Sequence, residues 1–251
     1  MFDIKKYRQY LECDEPIPYK GIVIYPVKIK DYSKFLFAAN CLNIDKDMLS
    51  PEIAAMSYID FLTMLMVTQE HGDKMMSDFA TLAKLCFHLD IKDFNFNVEE
   101  DNHSVFVVGK NVFKKKEFDE IRRIILYQNI PGFDDSYVDP ELAKALDEER
   151  ELRSRKSGVS KRTFEDQIAA LSVLTGFTFD YIYSMPIRRF FVTLDKAISR
   201  MEYQIIRTGQ MSGMVKLEKA IPDWVASDDG ADVINERLGQ YGELKKKIGT
   251  V

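Results

Sequence analysis

The chain has 251 residues, 46% apolar and 30% charged, with a net charge of −5. That length can bury a core, and the acidic balance argues against a general binder of nucleic acid or anionic membrane. No run of about eighteen uncharged apolar residues occurs, and the opening MFDIKKYRQYLECDEP lacks the apolar segment of a secretion signal, so a soluble, cytoplasmic protein is expected.

GIVIYPVKIK alternates apolar and polar residues from Val27 to Lys30 and predicts a half-buried strand, with Pro26 marking an edge or bulge. Asp31 is expected to cap a helix through Phe35, Leu36, Ala39 and Leu42. Ser50 followed by Pro51 predicts the start of one long helix, PEIAAMSYIDFLTMLMV, apolar nearly all round except for the narrow line of Ser57, Asp60 and Thr63. KMMSDFATLAKLCFHL reads as a third helix. FNFNV and VFVV around EEDNHS read as a β-hairpin with a long loop. KKKEFDEIRRIILYQN carries Phe118, Ile121, Ile124 and Ile125 on one helical face and is broken by Pro131 and Gly132.

From Pro140 to Arg162 the composition turns charged, with hardly any large apolar side chain after Leu152, which predicts a solvated helix end and a linker with a boundary near Gly158. TFEDQIAALSVLTG then predicts a helix closed by Gly176. FTFDYIYSM and the stretch from Ser184 to Gly209 complete a helical hairpin. The expected fold is mainly α, with a mixed helical domain and small β element over 1–140, a charged linker over 141–162, a helical domain over 163–225 and a polar tail over 226–251.

Residue patterns that carry chemistry are sparse. Neither G-x-G-x-x-G nor G-x-x-x-x-G-K-S/T occurs, which argues against nucleotide binding. Cys13, Cys41 and Cys86 are odd in number and lack a C-x-x-C pair, arguing against both a disulfide framework and a zinc site. His71, His88 and His103 sit in no metal or triad spacing, so surface or core roles are expected for them. The clusters Asp134, Asp135, Asp139 and Asp228, Asp229, Asp232 miss calcium-loop spacing and read as turns, as do Glu99, Glu100 and Asp101. No catalytic residue, metal or cofactor is expected. The basic runs Lys114–Lys116, Arg150–Lys161 and Lys245–Lys247 lack interleaved aromatics and read as solvated faces.

Association surfaces are better supported. Six of the eleven methionines fall between Met48 and Met76, and Met56, Met64, Met66, Met75 and Met76 form either gap-filling core or an adaptable apolar surface. Ile187, Phe191, Leu194, Ile198, Met201 and Ile205 follow heptad spacing and suit docking along a helix of this chain or of a partner. If Ser184 caps that helix with Pro186 in its first turn, Arg188 and Arg189 beside Phe190 oppose the helix dipole, at about a few tenths of a kcal/mol. A compensating acid is therefore expected, with Glu165 and Asp166 as the candidates within the chain.

The succession LTGFTFDYIYSMPIRRFFVTLDKAI followed by SGMVKLEKAIPDW resembles the helical region of tail assembly chaperones of tailed bacteriophages, and KGIVIYPVKIKDYSKFLFAANCL is similar to the start of proteins from that gene neighbourhood. The resemblance covers about half of the chain. It implies a non-enzymatic protein of the infected host's cytoplasm that binds the tape measure protein, keeps it soluble and helps bring in tail tube subunits. A virion structural, head–tail or baseplate adaptor protein is the competing reading, and a nucleic-acid-binding regulator ranks below both. Self-association is left open.

Overall fold

The computed structural model describes residues 4–44, 46, 50–68, 72–99, 103–130, 132–133 and 163–212. The expected linker, the two aspartate clusters, Met48, His71 and the segment ending at Trp224 lie outside them. The chain divides into two compact units, 1–193 and 194–251.

The first unit is mainly α with two small antiparallel sheets. A 3-10 turn (Ile4–Tyr7) leads into helix α1 (Arg8–Cys13). Strands β1 (Ile17–Tyr19) and β2 (Ile22–Ile24) follow, paired Ile17 to Ile24. Lys20 and Gly21 both take positive φ, 41° and 89°, the conformation that lets a two-residue turn follow the twist of its strands.

The strand expected over GIVIYPVKIK is therefore shorter than its alternation suggested. Val27 and Ile29 are buried and Lys28 and Lys30 exposed, yet this part pairs only through an isolated bridge from Lys28 to Pro186. The alternation records which side of an extended segment faces the core, and a ladder needs a neighbouring backbone as well.

Helix α2 (Tyr32–Ala39) begins where expected, but Asp31 does not cap it. The Asp31 carboxylate instead pairs with Lys34 at 2.9 Å. The single helix predicted over 51–67 is two: α3 (Pro51–Ala55) and α4 (Tyr58–Val67). Ser50 caps the first, accepting from the Ile53 amide at 3.4 Å. Ser57 caps the second, accepting from the Asp60 amide at 3.3 Å. The polar line at Ser57 and Asp60 is thus a helix start rather than a hydrophilic stripe, because serine competes for nearby amides and favours caps over helix interiors.

Helix α5 (Gly72–Cys86) ends with His88 in the left-handed region at φ 57°. The Leu89 amide reaches back to the Ala83 carbonyl at 3.2 Å, the pattern that commonly favours glycine at this position. The His88 ring stacks on Tyr25 with centroids 4.0 Å apart.

The predicted hairpin forms as β3 (Phe94–Val98) and β4 (Ser104–Val108). A third strand, β5 (Asn111–Phe113), which the sequence reading missed, adds to it through a turn with Gly109 at φ 59°. Helix α6 (Lys115–Asn129) buries Phe118, Ile121, Ile124 and Ile125 as its period predicts. Phe79 of α5 meets Phe96 and Phe106 edge-on at 4.9 and 5.4 Å, and Phe118 of α6 meets Phe106 at 5.8 Å. The electron-poor ring edges thus face electron-rich ring faces in the core. Buried Asn129 ties α6 to the N-terminal segment, its Oδ1 accepting from the Val27 amide at 2.7 Å.

Helix α7 (Phe164–Thr175) is capped reciprocally by Thr163 and Asp166 and closed by left-handed Gly176. Thr178 caps the short helix α8 (Phe179–Ser184). Helix α9 (Ile187–Met211) begins later than Ser184 suggested: Ser184 ends α8, its hydroxyl donating to the Tyr181 carbonyl at 2.7 Å. Pro186 stands before the first turn and its carbonyl accepts from the Phe190 amide at 3.0 Å. Two backbone bonds, Ile29 to the Met185 carbonyl at 2.8 Å and Ile187 to the Val27 carbonyl at 2.9 Å, fasten this region to the N-terminal segment. The second unit holds the rest of α9. Among the described residues no helix is long and apolar enough to cross a membrane.

Candidate functional site

The paired arginines at the start of α9 are answered from the opposite end of the sequence. Arg188 Nη1 donates to the Leu11 carbonyl at 2.8 Å and Arg189 Nη2 to the Glu12 carbonyl at 3.0 Å. Arg189 Nε lies 2.7 Å from Asp14 Oδ2. Leu11 and Glu12 belong to the last turn of α1, whose carbonyls lack helical partners and carry the negative end of its dipole.

One helix start, unfavourable for cations, is thus offset by a helix end that needs them. The expected acids do not serve: Asp166 is engaged with the Thr163 amide at 2.8 Å and Thr163 hydroxyl at 2.8 Å. Burial raises the Asp14 carboxyl above the ordinary aspartate range, while the charges of Arg189 and Arg188 hold that rise down.

The neighbouring apolar candidates divide between core and surface. Phe190 is fully buried, edge-on to Phe164 and to Phe191, with centroids 5.8 and 5.1 Å away. Phe191 is half-buried against Tyr32 at 5.6 Å. In the second unit Leu194 is buried, Ile198 half-buried, and Met201 and Ile205 exposed. Exposure therefore rises along the heptad seam toward its C-terminal end.

Met56 stands at the break between α3 and α4, Met64 and Met66 in the last turns of α4, and Met75 and Met76 in the first turns of α5; all five are half-buried. The start of α5 lies close against the last turn of α4. A Cβ at Gly72 would lie 2.3 Å from the Met66 carbonyl oxygen, so only glycine lets the two backbones come this close.

A surface that sequence reasoning missed lies at the corner of α7 and α8. Val173 is 84% exposed, Leu174 37%, Phe179 52%, Tyr181 52% and Tyr183 42%. Buried Ile168, Leu171 and Ile182 anchor the two helices from the other side. The signal was present in FTFDYIYSM, where aromatics recur at every second position. On a helix a two-residue step turns about 200°, so successive rings fall on nearly opposite sides and some must face outward.

The most polar constellation joins α4, β4 and α6. Asp60 Oδ1 accepts from the Ser104 amide at 2.7 Å and Oδ2 from the Ser57 hydroxyl at 2.6 Å. His103 Nδ1 lies 3.6 Å from Asp60, and its Nε2 is 3.0 Å from Lys115 Nζ. Glu99 pairs with Lys114 at 2.8 Å beside a shallow cleft of about 280 Å³. The order carboxylate, imidazole, amine looks like a proton relay, but 3.6 Å exceeds hydrogen-bond range and Asp60 is committed to Ser57 and Ser104. What the cluster does here is fasten the hairpin to the two helices. Burial raises the Asp60 carboxyl, and Ser57, Ser104 and Lys115 together overcome this and hold it below its ordinary range. Among the described residues no three His, Cys, Asp or Glu side chains converge as metal ligands.

Comparison of the chain with protein-family models, with curated proteins and with solved structures finds no match.

Proposed function

We propose that this chain acts by protein association, as a phage tail assembly chaperone that holds helical segments of the tape measure protein in the host cytoplasm before tail tube subunits close around them. The reading is carried by the exposed aromatic and aliphatic side chains at the α7–α8 corner, which, apart from Val173 immediately before it, fall within LTGFTFDYIYSMPIRRFF, the same stretch that carries the family resemblance. Exposed aromatics held on capped helices offer apolar contacts to an amphipathic helix, a shape long tape measure segments supply. The half-buried methionines at the α4–α5 corner offer a second, more adaptable contact.

Co-expression tests the reading directly. Tape measure fragments from the same phage should move from the insoluble to the soluble fraction when this chain is present and co-purify with it, and mass spectrometry of finished virions should find the chain absent. Fragments that stay insoluble, or a fixed copy number of the chain per particle, would overturn it.

A further inference from the structure

We propose that the Asn95 side chain guards the free edge of β3, occupying the backbone amide through which a second copy of this chain would otherwise pair. The sheet runs in the order β3, β4, β5, so β3 and β5 are its edges. β5 is three residues long, and Asn111 at its start donates to the Gly21 carbonyl at 3.4 Å. β3 is the longer edge, the five residues FNFNV, with no ionisable side chain and no proline. Such a strand invites pairing with another chain.

The register decides which groups face outward. The Glu99 amide donates to the His103 carbonyl at 2.9 Å, and in an antiparallel pair alternate residues turn their backbone bonds toward the neighbour. Asn95 and Asn97 therefore bond to β4, while Phe94, Phe96 and Val98 direct their amides and carbonyls away from it. Among the described residues no strand covers that side. The Phe96 amide at its centre is nevertheless satisfied, because it donates to Asn95 Oδ1 at 2.9 Å. Asn95 Nδ2 donates in turn to Asn97 Oδ1 at 2.8 Å. Both halves of one side-chain amide are thus used, and the second bond turns the oxygen toward the edge. Asparagine is a poor strand former, yet two alternate here at exposed positions. The guard accounts for that choice.

What is kept away is a second copy. FNFNV reads apolar, Asn, apolar, Asn, apolar from either end, so two antiparallel copies centred on Phe96 would set Phe94 beside Val98 and Asn95 beside Asn97 of the other. Val98 is 59% exposed and Phe96 half-buried, so this pairing would also cover apolar surface. Charges at the strand ends act with the guard. The same register sets Asp93 beside Glu99 of the other copy, like against like. Within their own chain Asp93 accepts from the Asp90 amide at 2.9 Å and Glu99 from Lys114 at 2.8 Å. Exposed Lys92 would stand opposite Glu100, which lies outside the described residues.

The test compares the full-length chain with Asn95→Ala, Val98→Pro and the two combined. Val98→Pro removes an outward amide without touching the β4 ladder, a position where proline is tolerated. In sedimentation equilibrium over about 10–200 μM, wild type should stay monomeric and Asn95→Ala should associate at least about tenfold more strongly, since pairing breaks a guard bond on each copy of wild type and none in the variant. The combined variant should return to wild-type behaviour. In dilute, monomeric protein the Phe96 amide should exchange with deuterium at least about fivefold faster in Asn95→Ala. Asn97→Ala, which frees Asn95 to turn, should shift both readouts in the same direction. Asn95 and Asn97 are exposed, and circular dichroism verifies that each variant is folded.

No gain of association in Asn95→Ala, an unchanged Phe96 exchange rate, or association that survives in the combined variant overturns the inference. So does a wild-type dimer that Val98→Pro dissolves, which would make this edge an interface rather than a guarded one.

Discussion

Arg189→Ala separates the structural role of the paired arginines from a role in binding. The substitution removes the 3.0 Å bond to the Glu12 carbonyl and the 2.7 Å contact to Asp14. An exposed ion pair alone contributes about 0.2–1 kcal/mol. Here the Asp14 side chain is only 11% exposed, so the variant strands a carboxylate that is largely out of water. Hydrogen bonds to charged groups contribute about 1.5–3 kcal/mol, and the 45% exposure of Arg189 reduces that by solvent screening. The expected loss is about 1.5 kcal/mol at pH 7, or roughly 3–6 °C in Tm for a chain of this size.

The pH dependence supplies a second check. Because burial raises the folded-state pKa of Asp14, its favourable contribution is fully present below the ordinary value of 3.8 and is lost as pH rises through the raised folded value. Without Arg189 the effect of burial is less opposed, the folded pKa rises further, and the penalty at pH 7 grows. Urea denaturation of wild type, Arg189→Ala, Asp14→Asn and the double variant should therefore show a deficit for Arg189→Ala that shrinks toward pH 4. The two single losses should sum to more than the double loss. A deficit below about 0.5 kcal/mol at pH 7, or one that does not change with pH, would show that the helix-end contact does not hold the arginines.

Three further outcomes are expected. Asp60→Ala should cost about 2–3 kcal/mol by stranding the Ser104 amide, and Asp60→Asn about 1 kcal/mol. Since the Asp60 carboxyl is held low, its contribution is present above 3.8 and lost as pH falls through the lowered folded value, so the gap between wild type and Asp60→Asn should close in acid denaturation below that pH. Gly72→Ala should destabilise by about 1–3 kcal/mol, because the obstacle at 2.3 Å is the Met66 backbone, read by loss of Tm.

With an aromatic disulfide reagent, exposed Cys13 should react at once and Cys41 and Cys86 only on unfolding. Burial, with a smaller push from Asp78, raises the Cys41 thiol to about 12, and burial raises Cys86 further. Rapid reaction of all three thiols in native protein would contradict the buried placement of the latter two.

What the sequence alone determined is what acts within a helical turn or along one face. Ser50 and Gly176 bound their helices as read, because a cap reaches amides or carbonyls only a few residues away. The face of Phe118, Ile121, Ile124 and Ile125 was legible because burial follows the helical period. Tertiary structure decided what depends on distant neighbours. Arg189 and Glu12 lie 177 positions apart, and no local pattern states that a helix start will meet a helix end. Ser57 split an apolar stretch by capping, although its setting looked like helix interior. The outward corner of α7 and α8 emerged only once Ile168, Leu171 and Ile182 had taken the inward positions. Propensity and periodicity limit which side chains a helix can bury together, but the partner surface chooses among them, and that surface is built by residues far away in the chain.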